Sequence, residues 1–543
     1  MAGLTLSKDE VRTMKRARRH EQRQEGFLAK ARQSREESKQ RARSRGWPGP
    51  GAGSAVGIEP SLEVIGTTVQ VCGLWPFVTG SAAPTVGVPL GVHLTRGFPI
   101  CGDPIFYFMA NLVSNPSMFV LGRPGLGKSS LVRRIEAIYE AWGVLPMVLG
   151  DLKPDHVDLV AAQGGQVIAV GPGRNAVNPL DRGPLYPMLG ELPEAAEREA
   201  RSDLRAFQVA TVTGLLQQAG GRSLTPMEST IVSVCLRILD EEITDRQPIL
   251  PDMLDLIESK TTAISKIVQD QGDARVYTDR TRDLTDVLRK LGPEGPYGSL
   301  FSRPTTVPIK LDRPVAFDLS SIDDSDMTLQ AAVQQVCWAY GSSAVSAAKR
   351  LAAAGVVPER HYVLVMDEMW RMLRADPRLV HFIDALTRLN RTMGVGQIMI
   401  THTMNDLKLP DAEQTQMAWG FVERAGMVML GGLAEGEMGN LASVFSLSRA
   451  EQTMITDWSS EVTINPETGR AAAPPGLGCF LMKIGKKPGV PLRVVMTDVE
   501  RHVNDTNRSW AGMAQEMEHH RRKATAEAVA ERLAEPAEEG QVA

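Results

Sequence analysis

The sequence predicts an α/β fold: a mostly parallel sheet with a largely α-helical insertion and a small N-terminal module. Three observations predict it. A glycine-rich loop sits between a short apolar run and a helical pattern. Several further short, continuous apolar runs alternate with helical stretches, as expected of strands buried on both faces. Between about 184 and 310 the strand signals stop and long helical patterns take over.

Residues 1–46 are rich in Arg and Lys, densest at Lys15, Arg16, Arg18, Arg19 and at Arg41, Arg43, Arg45. They read as a solvated, basic helical or disordered arm, either an electrostatic contact for anionic lipid or nucleic acid or a solubilising tail. Residues 47–100 begin with the Gly/Pro linker Trp47–Ser54 and continue in short apolar stretches such as Thr67–Cys72. These predict a small β-rich module, or strands that feed the main sheet.

The core is expected over 101–183 and 311–500. Its first strand, Met118–Gly122, leads into Gly122, Arg123, Pro124, Gly125, Leu126, Gly127, Lys128, Ser129 and Ser130. This is G-x-x-x-x-G-K-[ST], a phosphate-binding loop, and the strand before it and the predicted helix Ser130–Trp142 after it are the flanks the motif needs. Glycines let backbone N–H groups turn around a phosphate at a helix N-terminus, which already favours anions. Lys128 would reach the β- and γ-phosphates of a bound nucleotide, and the Ser129 hydroxyl would take a place on Mg²⁺. Further strands are expected at Met147–Asp151, Gln166–Val170, Pro314–Leu319, His361–Met366, Gly396–Thr401 and Met427–Leu430. Helices of the insertion are expected at Pro193–Gln217, Pro226–Asp240 and Arg280–Leu291. From 501 to 543 the chain is polar and helix-prone and ends in an acidic tail.

Asp367 and Glu368 follow the apolar run His361–Met366. Ligands of open α/β sheets bind at the C-terminal ends of strands. Asp367 would hold Mg²⁺, directly or through water, and Glu368 would orient the attacking water. Asp151 and Lys153 also end a core strand, either near the nucleotide or in a surface turn. His402, at the end of Gly396–Thr401, is the candidate sensor of the γ-phosphate. Arg388 and Arg391 precede that strand; such an arginine can complete a neighbouring subunit's site. Arg424, before the next strand, is a third candidate.

Composition restricts the alternatives. With 543 residues, 43% apolar and 23% charged, the chain is an ordinary globular one. A net charge of −4 does not suit a basic nucleic-acid binder as a whole. The five cysteines are far apart and form no C-x-x-C, which argues against a zinc ribbon or a disulfide framework and fits a reducing cytosol. No apolar run approaches a membrane span, and the charged N-terminus is no secretory signal, so any membrane contact is expected to be peripheral or through a partner.

In this order, these residues resemble the conjugative type IV secretion ATPases of the TraC/TrbE/CagE type, within the HerA/FtsK group of P-loop motors. The resemblance spans about 85–500. Asp151-Leu152-Lys153 stands where that family has Asp-x-Lys-Gly-Glu, although Pro154 replaces the Gly-Glu continuation. Ile168–Val170 with Asn178-Pro179-Leu180 resembles its strand and Asn-Pro turn. Tyr297–Phe301 and Val315–Leu319 resemble its passage after the helical insert. Asp367-Glu368-Met369-Trp370 resembles its "DEaw", and Gly478–Lys483 its terminal hairpin. Where the family usually has Gln, this chain has His402. The resemblance implies a RecA-like P-loop core, ATP and Mg²⁺ as cofactors and a homo-oligomer, specifically a hexamer. It further implies membrane-embedded secretion-channel partners, DNA or relaxase–DNA as cargo, and a location at the inner face of the cell membrane. Two other readings stand beside a secretion motor: a DNA-translocating coupling protein of the HerA/FtsK type, and a nucleotide-dependent scaffold with little turnover.

Overall fold

Eleven strands form one sheet in the computed structural model, which describes residues 84–392, 394–460, 474–485 and 487–503. In chain order they are β1 (Pro89–His93), β2 (Pro99–Cys101), β3 (Ser117–Leu121), β4 (Val144–Asp151), β5 (Gln166–Ala169), β6 (Val315–Asp318), β7 (His361–Met366), β8 (Gly396–Thr401), β9 (Met427–Leu430), β10 (Cys479–Lys483) and β11 (Val490–Val494). The sheet order is β2-β1-β11-β10-β9-β3-β8-β7-β4-β6-β5. From β9 to β5 neighbours run parallel; from β2 to β9 they pair antiparallel. The expected basic arm, the linker and the polar C-terminal segment beyond 503 lie outside the described residues. Among the described residues of 47–100, β1 and the first residues of β2 join the main sheet.

Sixteen helices accompany the strands among the described residues: α1 (Pro104–Met109), α2 (Lys128–Ala141), α3 (Val157–Ala162), α4 (Glu194–Gly220), α5 (Pro226–Glu242), α6 (Leu250–Glu258), α7 (Thr262–Val268), α8 (Ala274–Leu291), α9 (Gly298–Phe301), α10 (Met327–Ala353), α11 (Met369–Ala375), α12 (Leu379–Thr392), α13 (Ala412–Glu423), α14 (Met438–Val444), α15 (Arg449–Asp457) and α16 (Asp498–Val503). The helix after the glycine-rich loop begins at Lys128, two residues before the expected Ser130, because Gly127 is itself the N-cap.

The strands read as unbroken apolar runs because both faces are covered. Along β3 the side chains alternate. Met118 and Val120 pack with Leu131, Val132 and Ile135 of α2. Phe119 and Leu121 join the opposite core, which also takes in Trp338 of α10 and the apolar stripes of α4, α5 and α8. The helices between β5 and β6 therefore share a core with the sheet. Trp338 is fully buried there, and truncating such a side chain to Ala costs about 3–5 kcal/mol.

Local chemistry fixes the joints. Buried Asp103 caps α1 through the N–H groups of Ile105 and Phe106, accepts the Tyr139 hydroxyl at 2.5 Å and takes the Val88 N–H at 2.9 Å. One carboxylate thus ties the residue preceding β1, α1 and α2 together. Thr225 and Glu228 form a reciprocal capping box at the start of α5. Lys483, buried on β10, donates to the Ser446 and Lys487 carbonyls and pairs with Glu451 of α15 at 3.2 Å. In the last described segment, α16 is bonded to α2: Glu500 accepts both ways from Arg134, and the Val503 carbonyl accepts from Arg133 at 2.9 Å.

Candidate active site

The glycine-rich loop leaves the C-terminal end of β3, at the middle of the eleven-stranded sheet, and the ends of β8, β7 and β4 carry the other residues of the site. Gly125 and Gly127 have φ of +78° and +95°, conformations that an L side chain resists. The loop is pinned by its backbone: Gly122 N–H donates to the His402 carbonyl, Arg123 N–H to the Gly432 carbonyl, and Gly478 N–H to the Leu126 carbonyl, each at 3.0 Å. Pro124 lies in the exposed part of the loop, the Arg123 guanidinium reaches the Ser459 carbonyl at 2.9 Å, and Ser130 continues α2.

Lys128 is folded back over its own loop. Its ammonium donates to the Gly122 carbonyl at 2.7 Å and lies 2.9 Å from His402 Nδ1. Burial pushes its pKa down to about 8, against the pull of Asp367 and Glu368. The Ser129 hydroxyl donates to Asp155 at 3.0 Å.

The carboxylate pair sits at the end of β7. Between that strand and β3 lies β8, so His402 at its end stands between the loop and the pair. The Asp367 carboxylate accepts the Glu368 N–H at 2.7 Å, and its carbonyl accepts from Gln334 at 3.1 Å. Glu368 has φ +53°, a left-handed backbone costing about 1 kcal/mol or more for a non-glycine residue. Its carboxylate is buried and accepts from Lys153 at 3.1 Å and from the Trp370 indole N–H, with His402 Nε2 3.4 Å away. Burial alone would raise its pKa, but the facing N–H of His402 and the Lys153 ammonium outweigh it and hold Glu368 down at about 2. Glu368 is thus an ionised group suited to orienting a water by hydrogen bonding.

Both Asp151 and Lys153 reach this site, Asp151 from the buried end of β4 and Lys153 from the exposed bend that follows it. Asp151 is buried, accepts the His156 N–H at 2.8 Å, and is pushed up to about 7, chiefly by burial. Three residues of the site escaped the sequence reading: Glu136, Asp155 and His156. His156 is fully buried, with Nδ1 2.9 Å from Glu136 Oε1 on α2 and Nε2 3.7 Å from Asp367 Oδ2. Glu136 did carry a signal: it stands on the face of α2 that buries Val132, Ile135 and Tyr139, where a carboxylate requires a partner.

The candidate arginines are placed elsewhere. Arg388 and Arg391 are on α12, which runs into the N-terminal end of β8, opposite the end that carries the loop; their side chains fall outside those described. Arg424, before β9, pairs with Asp384 at 2.6 Å. Arg424 therefore does not join Lys128 and Glu368.

For Mg²⁺, the Ser129 hydroxyl and the Asp367 carboxylate are hard oxygen donors, of the kind Mg²⁺ takes alongside phosphates and water. Among the described residues no cluster of three His, Cys, Asp or Glu forms a metal cage, and Mg²⁺ in a phosphate loop needs none. Among them too, no helix is long and apolar enough to cross a membrane.

No protein-family model matches the chain, and no curated protein does. The fold is similar to that of VirB4 of Thermoanaerobacter pseudethanolicus, at 17% identity over 78% of this chain and 100% of that one, with a TM-score of 0.55. The plasmid coupling protein TrwB in complex with a non-hydrolysable GTP analogue gives 12% identity over 70% of this chain and 86% of that one, with a TM-score of 0.42. At such identity the likeness to VirB4 establishes a shared α/β, RecA-like fold.

Proposed function

We propose that this chain is a Mg²⁺-dependent ATPase that works as a motor of a conjugative or type IV secretion apparatus. One observation carries the catalytic part: Lys128 of the phosphate loop, Asp367 and Glu368 of β7 and His402 of β8 meet at one end of the sheet. The backbone N–H groups of Gly125 to Ser129 would take the phosphates, with Lys128 exchanging the Gly122 carbonyl for a phosphate oxygen. Ser129 and Asp367 would hold Mg²⁺, which when bound neutralises charge developing on the phosphates. Glu368, ionised and braced, would hold the attacking water in line. The chain's own part is thus positioning and electrostatics, as phosphoryl transfer requires.

The motor part rests on the resemblance of the motifs and on the shared fold with VirB4. It implies a homo-oligomer, for which a hexamer is the expected form, with Arg391 or Arg388 of one subunit completing a neighbour's site. The partners implied are secretion-channel proteins, with DNA as candidate cargo, at the inner face of the membrane.

The deciding experiment is ATP turnover by the full chain with and without single- and double-stranded DNA, using Glu368→Gln as the blank. Turnover above the blank is expected. Strong stimulation by DNA would assign the chain to translocation of nucleic acid itself, and indifference to DNA to work on channel proteins. Turnover no higher than the blank, with channel partners supplied, would overturn the ATPase reading in favour of a scaffold.

A further inference from the structure

His402 touches the phosphate loop with its backbone and its side chain. Its carbonyl accepts from Gly122 N–H at 3.0 Å, Nδ1 lies 2.9 Å from Lys128 Nζ, and Nε2 lies 3.4 Å from Glu368 Oε2. A lysine ammonium only donates and a carboxylate only accepts. Nδ1 must therefore accept, which leaves the proton on Nε2, facing Glu368. The partners on the two sides assign a single neutral tautomer, and the three side chains form one line, Lys128 to His402 to Glu368.

The ends of this line answer to different events. Lys128 is held by neutral acceptors: the carbonyls of Gly122 and Arg123, at 2.7 and 3.3 Å, and the imidazole. An anionic phosphate oxygen in the loop is a stronger acceptor than any of them. Once Lys128 turns to it, Nδ1 loses this donor, and the lysine no longer braces the imidazole toward Glu368. Glu368 is then left with Lys153 and the Trp370 indole, whose ring centre is 6.1 Å from that of His402.

We infer that His402 is a positioning residue that passes the engagement of Lys128 by a phosphate on to Glu368, so that the carboxylate is released for its water only when the loop is filled. This rests on the ATP-site reading above and adds its regulation. A glutamine can imitate both faces of the neutral imidazole, with Oε1 accepting from Lys128 and Nε2 donating to Glu368. A leucine of similar bulk can imitate neither.

The test compares the full-length wild type, His402→Gln and His402→Leu, after checking that all melt within a few degrees of one another. Each is titrated with a non-hydrolysable ATP analogue while Trp370 fluorescence is followed as the difference from the matching Trp370→Phe protein, and ATP turnover is measured in parallel. In the wild type and His402→Gln, the analogue is expected to shift the Trp370 signal and kcat to agree within about threefold. In His402→Leu the analogue should bind within about threefold of the wild-type Kd, the Trp370 shift should vanish, and kcat should fall at least tenfold. A leucine variant that keeps the Trp370 shift and kcat overturns the inference. So does one whose Kd rises more than tenfold, since His402 would then only shape the loop, and so does a folded glutamine variant that behaves like leucine. A wild type that binds no analogue overturns the ATP-site reading itself.

Discussion

His156 and Glu136 form a fully buried pair, Nδ1 to Oε1 at 2.9 Å, joining the loop after β4 to the helix that follows the phosphate loop. Burial pushes the imidazole down, but Glu136, Asp367 and Asp151 outweigh it and hold its pKa well above the ordinary value. Removing one member strands a buried charge. Glu136→Ala is expected to lower the unfolding free energy by about 3 kcal/mol, the scale for breaking such pairs. The pH dependence has a definite sign. A histidine with a raised folded pKa contributes stability that is fully present below about 6.5 and lost as pH rises through the folded value. Urea unfolding at pH 6 and pH 9 should therefore show a larger gap between wild type and Glu136→Ala at pH 6.

Lys128→Ala and Glu368→Gln should each lower kcat for ATP at least about a hundredfold, the range for losing one preorganised catalytic group. They should differ in binding. Lys128→Ala should weaken or misplace the nucleotide, whereas Glu368→Gln should keep it bound. Equilibrium binding of labelled ATP beside steady-state turnover separates the two, and near-wild-type turnover in Glu368→Gln would refute its assignment.

Arg391→Ala is expected to retain nucleotide binding and lose hydrolysis. Its position on α12, at the end of the sheet away from the chain's own loop, points to action on a neighbour. Mixing Arg391→Ala with Lys128→Ala subunits should restore part of the activity, since some interfaces then pair an intact loop with an intact arginine. Absence of rescue over a range of mixing ratios would count against action in trans.

Lys483→Ala leaves the Ser446 and Lys487 carbonyls and the Glu451 carboxylate without their buried donor. A loss of about 3 kcal/mol is expected from breaking this pair. Chemical denaturation would measure it.

The parts of the molecule that were legible in the sequence are those written locally. Val363, Leu364 and Val365 followed by Asp367 and Glu368 announce a buried strand with chemistry at its end, and Gly122–Ser129 announces the loop. The ends of the helices shifted by a few residues, as at Lys128, because the glycine cap and not the apolar pattern sets where α2 starts. His156 and Asp155 carry no local mark. Their meaning arises when β4, β7 and α2 are brought together, and no spacing in one chain records that. The same holds for β1 and β11, which pair across some four hundred positions.

That pairing determines how the folded chain bears a load. Gly91 faces Val494 and His93 faces Leu492, antiparallel, so the start of β1 and the end of β11 lie side by side. Force applied at the two ends pulls along the hydrogen bonds between these strands, which run perpendicular to them, and opens them one after another like a zipper. The C-terminal pull must first detach α16 from Arg133 and Arg134, so tension at residue 503 is delivered to α2, the helix that carries Lys128, before the sheet yields.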